Sequence, residues 1–221
     1  MQILKPHHLV PFRNKGQAII AEEPADSDND WDSYWRTKFG EQYFLMGSPI
    51  MTLHHCEQWF SSTLRKGHYH RVLLPGNGIS LFPHLLAHRG YTVTALDTSR
   101  LAARLVREST FPRNLLAKDE FVMGGSVTIL QQDVFSYVPE QPFDAIWDDR
   151  FFFALPPEVQ PLMARRYAAW LQPNGICVLH ALNMRERTAL EDAFLQAGFE
   201  DWDTTKPTPG QRRVRYIHGS G

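Results

Sequence analysis

Apolar and polar residues change their rhythm near residue 70. Upstream, Trp31, Tyr34, Trp35 and Phe39 fall at helical spacing and share one face. The acidic run Asp26-Ser27-Asp28-Asn29-Asp30 supplies N-cap chemistry for that helix. Ser48-Pro49 then predicts a second helix through Leu53 and Trp59 to about Leu64, with proline at its first position. Residues 1 to 26 carry Pro6, Pro11, Gly16 and Pro24 with weak periodicity and read as an irregular arm.

Downstream, short apolar runs alternate with amphipathic stretches. Strands are predicted at Arg71 to Leu74, Tyr91 to Leu96, Ser126 to Leu130, Phe143 to Trp147 and Ile176 to Leu182. Helices fall near Leu81 to His88, from Thr98 or Ser99 to about Ser109, from Pro157 to Leu171, and from Glu186 to Ala197, where Gly198 stops the last. Pro173-Asn174-Gly175 predicts a turn. Two final strands, near Glu200 to Asp203 and Arg213 to His218, predict an antiparallel hairpin. Strands alternating with helices imply an α/β fold, a doubly wound and mostly parallel sheet. The economical division is an N-terminal arm and helical lid over 1–66, packed on a cofactor-binding core over 67–221, as one structural domain.

Composition narrows the class. Hydrophobic residues make up 43% and charged residues 21% of the 221, ordinary for a globular protein with ample core. Lys plus Arg number 23 against 24 for Asp plus Glu, so no net basic field exists to hold nucleic acid. No apolar run nears the roughly 20 residues that span a bilayer, and the first residues lack the layout of a secretory signal. The two cysteines, Cys56 and Cys177, stand in no ligand spacing. Neither a disulfide framework nor a metal site is indicated, and a cytoplasmic, reducing location is expected. His54-His55-Cys56 and His68-Tyr69-His70 also lack metal-site spacing and read as surface or packing residues. The oligomeric state stays open, leaning to a monomer.

Chemistry concentrates at strand exits, where open α/β sheets bind ligands. Leu74-Pro75-Gly76-Asn77-Gly78-Ile79-Ser80 follows the first predicted strand, and its glycines let the backbone approach a ligand closely. Asp97 ends the next strand about 20 residues beyond, where a carboxylate can accept both hydroxyls of an adenosine ribose. Leu81 stands where a dinucleotide-binding loop has its third glycine, which favours S-adenosylmethionine over a nicotinamide cofactor. Gln132-Asp133-Val134-Phe135 follows the third predicted strand and brings another carboxylate to a strand exit. The fourth strand runs Phe143-Asp144-Ala145-Ile146-Trp147 into Asp148-Asp149-Arg150, then Phe151-Phe152-Phe153 and Ala154-Leu155-Pro156-Pro157.

Several of these motifs together resemble the thiopurine S-methyltransferase family. They are Asp30-Trp31 with Trp35; Arg71-Val72-Leu73-Leu74-Pro75 with Gly78 and Ser80; Arg89-Gly90-Tyr91 with Val93; Asp97 with Ser99; and Phe143 to Asp148 with Ala154 to Pro157. The resemblance covers roughly residues 30 to 180. It implies a class I, Rossmann-like methyltransferase using S-adenosylmethionine. On that resemblance Trp31, Gly76, Asp97, Asp133 and Val134 match family cofactor contacts, and Trp31 and Trp35 form a lid. Leu74, Pro75, Gly78, Thr98, Phe135, Asp148 and Asp149 complete the expected cofactor-binding set.

The chain also departs from the family pattern of Trp-Asp-Arg, four variable residues and Ala-Leu-Pro-Pro. Aligned on Ala154 to Pro157, Asp149 stands where the family has arginine, and Arg150 falls one position later. A one-residue shift at a strand end swings a side chain to the opposite face. Asp149 and Arg150 are the expected catalytic residues, and Phe151, Phe152 and Phe153 the expected wall of an aromatic acceptor pocket. The leading function is methyl transfer to a small molecule, with a soft, thiol-like acceptor favoured by resemblance. One alternative is cyclisation of the cofactor's own amino-acid end to azetidine-2-carboxylate and methylthioadenosine, motivated by Asp149. A non-catalytic adenosyl-binding or nicotinamide-binding protein is a third.

Overall fold

The computed structural model describes residues 30–45, 59–108, 124–181, 187–201 and 208–218. The N-terminal arm and the Ser48-Pro49 helix start lie outside the described residues. Seven strands form one sheet: β1 (Arg71–Leu74), β2 (Thr92–Asp97), β3 (Ser126–Gln131), β4 (Phe143–Asp149), β5 (Leu171–Ala181), β6 (Phe199–Asp201) and β7 (Arg212–His218). Their order is β3-β2-β1-β4-β5-β7-β6, so the winding reverses between β1 and β4. Ligands of open α/β sheets bind beyond the strand ends at such a reversal.

The apolar runs of the central strands follow from cover on both faces. Val72, Leu74, Ala145, Trp147, Ile176 and Val178 face one layer. There they meet Phe60 and Leu64 of α2 (residues 59–66), which follows α1 (Asp30–Leu45), and Phe82, Leu85 and Leu86 of α3 (Phe82–His88). Leu73, Ile146, Cys177 and Leu179 face the other layer, against Met163 and Tyr167 of α6 (Gln160–Trp170) and Leu190 and Phe194 of α7 (Arg187–Gln196). Between β4 and α6 lies the single turn α5 (Phe151–Ala154).

Three element boundaries differ from expectation. β4 does not stop at Trp147: Asp148 and Asp149 continue the ladder, opposite Leu179 and His180 of β5. The Pro173-Asn174-Gly175 turn is a bulge inside β5, because the register passes from Phe143↔Leu171 straight to Ala145↔Ile176. Asn174 takes the left-handed conformation there, φ 66.

The third difference is a correction. The final strands do not form an antiparallel hairpin; β7 runs parallel to both β5 and β6. The anchor is at the strand's beginning. Gly210 N donates to Asn174 Oδ1 at 2.7 Å and Arg212 Nε to the Leu171 carbonyl at 2.9 Å. These bonds seat the start of β7 beside the start of β5, whereas a tight hairpin places the returning strand's start at the far end.

On the N-terminal side, α1 (Asp30–Leu45) is tied to α4 (Arg100–Glu108) by one carboxylate. Asp32, only 2% exposed, accepts from Ser99 Oγ at 2.5 Å and Leu101 N at 2.8 Å. Ser99 itself caps the helix by accepting from Ala102 N at 2.9 Å. The negative charge thus lies at the positive end of α4. Replacing Asp32→Ala strands two buried donors and is expected to cost about 1–3 kcal/mol. Urea denaturation measures this, and faster proteolytic cleavage within 30–45 should accompany it; an unchanged midpoint refutes the anchor.

Candidate functional site

The loop leaving β1 is held from below and covered from above. Asn77 N donates to the Leu96 carbonyl at 2.9 Å, and Gly78 N to Asp97 Oδ2 at 2.7 Å. The other Asp97 oxygen accepts Ser99 N at 2.8 Å. Gly76 and Gly78 both have φ 56, a conformation glycine adopts at no steric cost. A Cβ on Gly76 would come within 2.1 Å of the Phe151 ring, and one on Gly78 within 2.4 Å of the Trp35 ring. Leu74 and Pro75 are buried beneath. The predicted Gly-rich loop is therefore a bare backbone shelf under two aromatic rings. α3 opens only at Phe82, four residues past Gly78, so its first amides do not belong to the shelf.

Asp97 is 9% exposed, and its carboxyl is raised above the ordinary range, chiefly by burial, against the pull of the Ser99 and Gly78 amides. Each oxygen uses one lone pair on an amide and keeps another. Beyond β3, Asp133 is exposed and its Oδ1 accepts Phe135 N at 3.2 Å. The Val134 side chain turns into the core beside Tyr137, and Phe135 is partly buried at its edge. Thr98 is exposed next to buried Ser99.

At the end of β4 the strand alternation separates two neighbouring carboxylates. Asp148 is 0% exposed and points toward α6. It accepts the Tyr167 hydroxyl at 2.6 Å and the Phe152 amide at 3.1 Å on both oxygens. Its place is under the site's floor, where it shows no surface to a cofactor. Asp149 lies on the opposite face, with Trp147. Its Oδ1 meets His180 Nδ1 at 2.7 Å and Arg150 Nε at 3.1 Å, and Arg150 Nη2 reaches Oδ2 at 3.4 Å. Burial alone would raise the Asp149 carboxyl; the His180 hydrogen bond and the Arg150 charge outweigh it, and the group is held below the usual range. Arg150 adopts φ 68, which ends the strand and folds its half-exposed guanidinium back on Asp149.

The three phenylalanines part ways. Phe151 covers Gly76. Phe152 is fully buried, 5.2 Å from Phe194 and 6.2 Å from Tyr167 between ring centroids, and belongs to the core. Phe153 sets its edge against Phe152 at 6.2 Å and packs on the same core. Full burial thus removes Phe152 from the expected pocket wall; Phe151 lies at the glycine shelf, and Phe151 and Phe153 are both only partly buried. Trp31 is exposed and meets Tyr34 edge-on at 5.5 Å, while Trp35 reaches the shelf.

Four residues of this neighbourhood escape a reading of the sequence: Asp32, Ser99 as a double anchor, Tyr167 and His180. The clustered histidines draw attention instead. His68 and His70 are exposed, and His54-His55-Cys56 lie outside the described residues. The one available signal for His180 is a lone imidazole closing the apolar run Ile176-Cys177-Val178-Leu179. Among the described residues no group of three His, Cys, Asp or Glu is placed to hold a metal ion, and no helix is long and apolar enough to cross a membrane.

The sheet order, the glycine shelf and the carboxylate at the end of β2 define a Rossmann-like fold of the class I methyltransferase type. The family model for thiopurine S-methyltransferase matches residues 27–192, and the chain belongs to that family. It is an S-adenosylmethionine-dependent methyltransferase. A probable thiol methyltransferase 2 from Arabidopsis thaliana is 28% identical over 186 residues, covering 80% of this chain and 76% of that protein. Thiocyanate methyltransferase 1 from the same plant is 30% identical over 110 residues, covering 48% and 43%. The solved magnesium protoporphyrin IX methyltransferase of Synechocystis PCC 6803, with bound SAM, shares the fold at TM-score 0.54 and 14% identity. That likeness covers 90% of this chain and 89% of that one. The cofactor fits the residues present: a glycine backbone with no side chain of its own beneath the Phe151 and Trp35 rings, and a buried carboxylate with lone pairs to spare.

Burial pushes the Asp148 carboxyl up from 3.8 to about 7, against the lowering effect of the Tyr167 hydroxyl and the Phe152 amide. Because the folded value exceeds the unfolded one, its stabilisation is complete below the unfolded pKa and is lost as pH rises through about 7. Asp148→Asn keeps an acceptor but removes the titration. Relative to the wild type it should gain stability as pH rises from 4 to 8, by about 3 °C or more in Tm. Parallel Tm–pH curves for the two proteins would sink this account.

Proposed function

We propose that this enzyme moves the methyl group of S-adenosylmethionine to a small molecule bearing a soft, thiol-like sulfur. The observation that carries this reading is the aromatic approach to the glycine shelf, Phe151 over Gly76 and Trp35 over Gly78, beside Asp149 and Arg150. Ring faces favour a sulfonium cation, and an apolar, polarizable sulfur is at home against them. The similarity to a probable thiol methyltransferase supports the same acceptor class.

When bound, the cofactor supplies an activated methyl group, so the hard chemistry is its own. The chain's residues bind and orient. The spare lone pairs of Asp97 take the ribose hydroxyls, and Gly76 and Gly78 let the backbone lie close to the amino-acid end. Asp133 and the Val134–Phe135 segment receive the adenine. Trp31, Trp35 and α1 close over this cofactor, with Leu74, Pro75 and Thr98 shaping its bed. Arg150, half-exposed at the rim, pairs with an acidic group on the acceptor or with the cofactor carboxylate. Alignment of the reacting atoms is the main service, worth about 7–11 kcal/mol at its upper limit.

The cyclisation alternative is motivated by Asp149 near the cofactor's amine. His180 and Arg150 both bond that carboxylate, which favours an orienting role for it over contact with the amine. Purified protein incubated with S-adenosylmethionine and a thiol panel should form S-adenosylhomocysteine only when a thiol is present, as read by mass spectrometry. Methylthioadenosine formed without any acceptor, above the spontaneous background, would reverse the choice. Asp97→Asn should weaken cofactor binding about tenfold or more by calorimetry, the cost of losing hydrogen bonds to a charged group; unchanged affinity would remove Asp97 from the site.

A further inference from the structure

His180 is 3% exposed, at the carboxyl end of β5. Its backbone is fixed by the ladder: it pairs with Asp149 in register, and its carbonyl accepts Arg150 N at 2.9 Å. Its ring lies nearly parallel to Trp147, 20° between planes and 6.0 Å between centroids. Its Nδ1 is 2.7 Å from Asp149 Oδ1. An ionised carboxylate only accepts, so Nδ1 carries the hydrogen, and in the neutral ring Nε2 then holds the lone pair. Nε2 is buried and has no hydrogen-bond partner among the described residues. A buried polar atom without a partner is destabilising, and such an exception in a native site calls for a role.

We infer that His180 is the base of the transfer, its Nε2 taking the proton from the acceptor thiol while Asp149 fixes its ring and Arg150 fixes Asp149. The inference rests on the thiol reading above. As the S–H bond breaks, its proton goes to Nε2 and its electron pair stays on the acceptor sulfur. That sulfur forms the new bond to the methyl carbon, and the carbon–sulfonium bond breaks with its pair going to the departing thioether. The imidazolium, stabilised by the Asp149 carboxylate, later returns its proton to water. This is the orienting logic of a base held by a third group, here assembled across two adjacent strands. The displaced arginine acquires a purpose: moving Arg150 one position along frees position 149 for the carboxylate that holds the histidine.

The test compares an alkanethiol, largely protonated at neutral pH, with an acidic arenethiol already present as thiolate. His180→Ala and His180→Gln should lose about 100-fold or more in kcat with the alkanethiol, the usual reach of general-base catalysis. Both should lose less than about tenfold with the arenethiolate, which needs no base. Asp149→Asn should follow the same split. Calorimetry of S-adenosylmethionine binding and thermal melts run alongside identify variants that have simply lost their fold. Equal losses with both acceptors overturn the inference and leave His180 as packing. A second readout is independent of turnover: nitrogen NMR of labelled histidine should show neutral His180 with its proton on Nδ1. An Nε2–H tautomer overturns the inference by itself. Wild-type protein that methylates neither thiol overturns the acceptor reading instead, and the ring tautomer then still decides whether the pair is set as a base.

Discussion

Buried carboxylates that have found donors hold this site together. A carboxyl group away from water, neutral or ionised, is costly unless it is hydrogen-bonded, so each such group dictates the position of whatever satisfies it. Asp144 accepts the amides of His70 and Arg71 and the Gln172 side chain, locking β4 to the start of β1 and to the bulge of β5. Asp32 joins α1 to α4, Asp97 joins β2 to the glycine loop, and Asp148 joins β4 to α5 and α6. All four are 9% exposed or less. Ser99 ties two of them together, because its hydroxyl donates to Asp32 while its amide donates to Asp97. A shift of α1 is therefore felt at the carboxylate beside the glycine shelf. That shared partner links α1 through Asp97 to the glycine loop.

The same arrangement explains why two rings can lie directly on the shelf. Trp35 is carried by α1, whose position Asp32 sets, and Phe151 is carried by α5, whose first amides Asp148 helps to set. Each ring sits on a glycine with positive φ, where backbone is bare on the side facing the ring. A ligand that lies along this backbone meets the rings first. The shelf itself is pinned through Asn77 and Gly78.

Much of the fold was legible because its signals are local. Runs such as Arg71-Val72-Leu73-Leu74 are too short for a helix and apolar on both faces, which only a covered parallel strand explains. The glycine loop and Asp97 were legible because their spacing reflects one βαβ unit. The final strands were misread because pairing direction is not local: β7 takes its direction from Asn174 and Leu171, contacts far away in sequence. The phenylalanine triplet was misread for a related reason. Three identical residues on one helical turn cannot share a face, and nothing in their composition says that Phe152 is the one pointing into the core.

His180 shows the limit most clearly. A single histidine at the end of an apolar strand has no partner visible in the sequence, since Asp149 lies 31 positions away and meets it only through the β4–β5 register. The order Asp148-Asp149-Arg150 looked like a cluster of charges at one exit, yet strand alternation gives the first carboxylate to the core and the second to the imidazole. Had the arginine stood at 149, it would have faced His180, and a guanidinium cannot accept the Nδ1 proton. The imidazole would then lose the partner that sets its tautomer. A one-residue displacement that looked like erosion of a family motif is, in the folded chain, what makes a hydrogen-bonded carboxylate–imidazole pair possible.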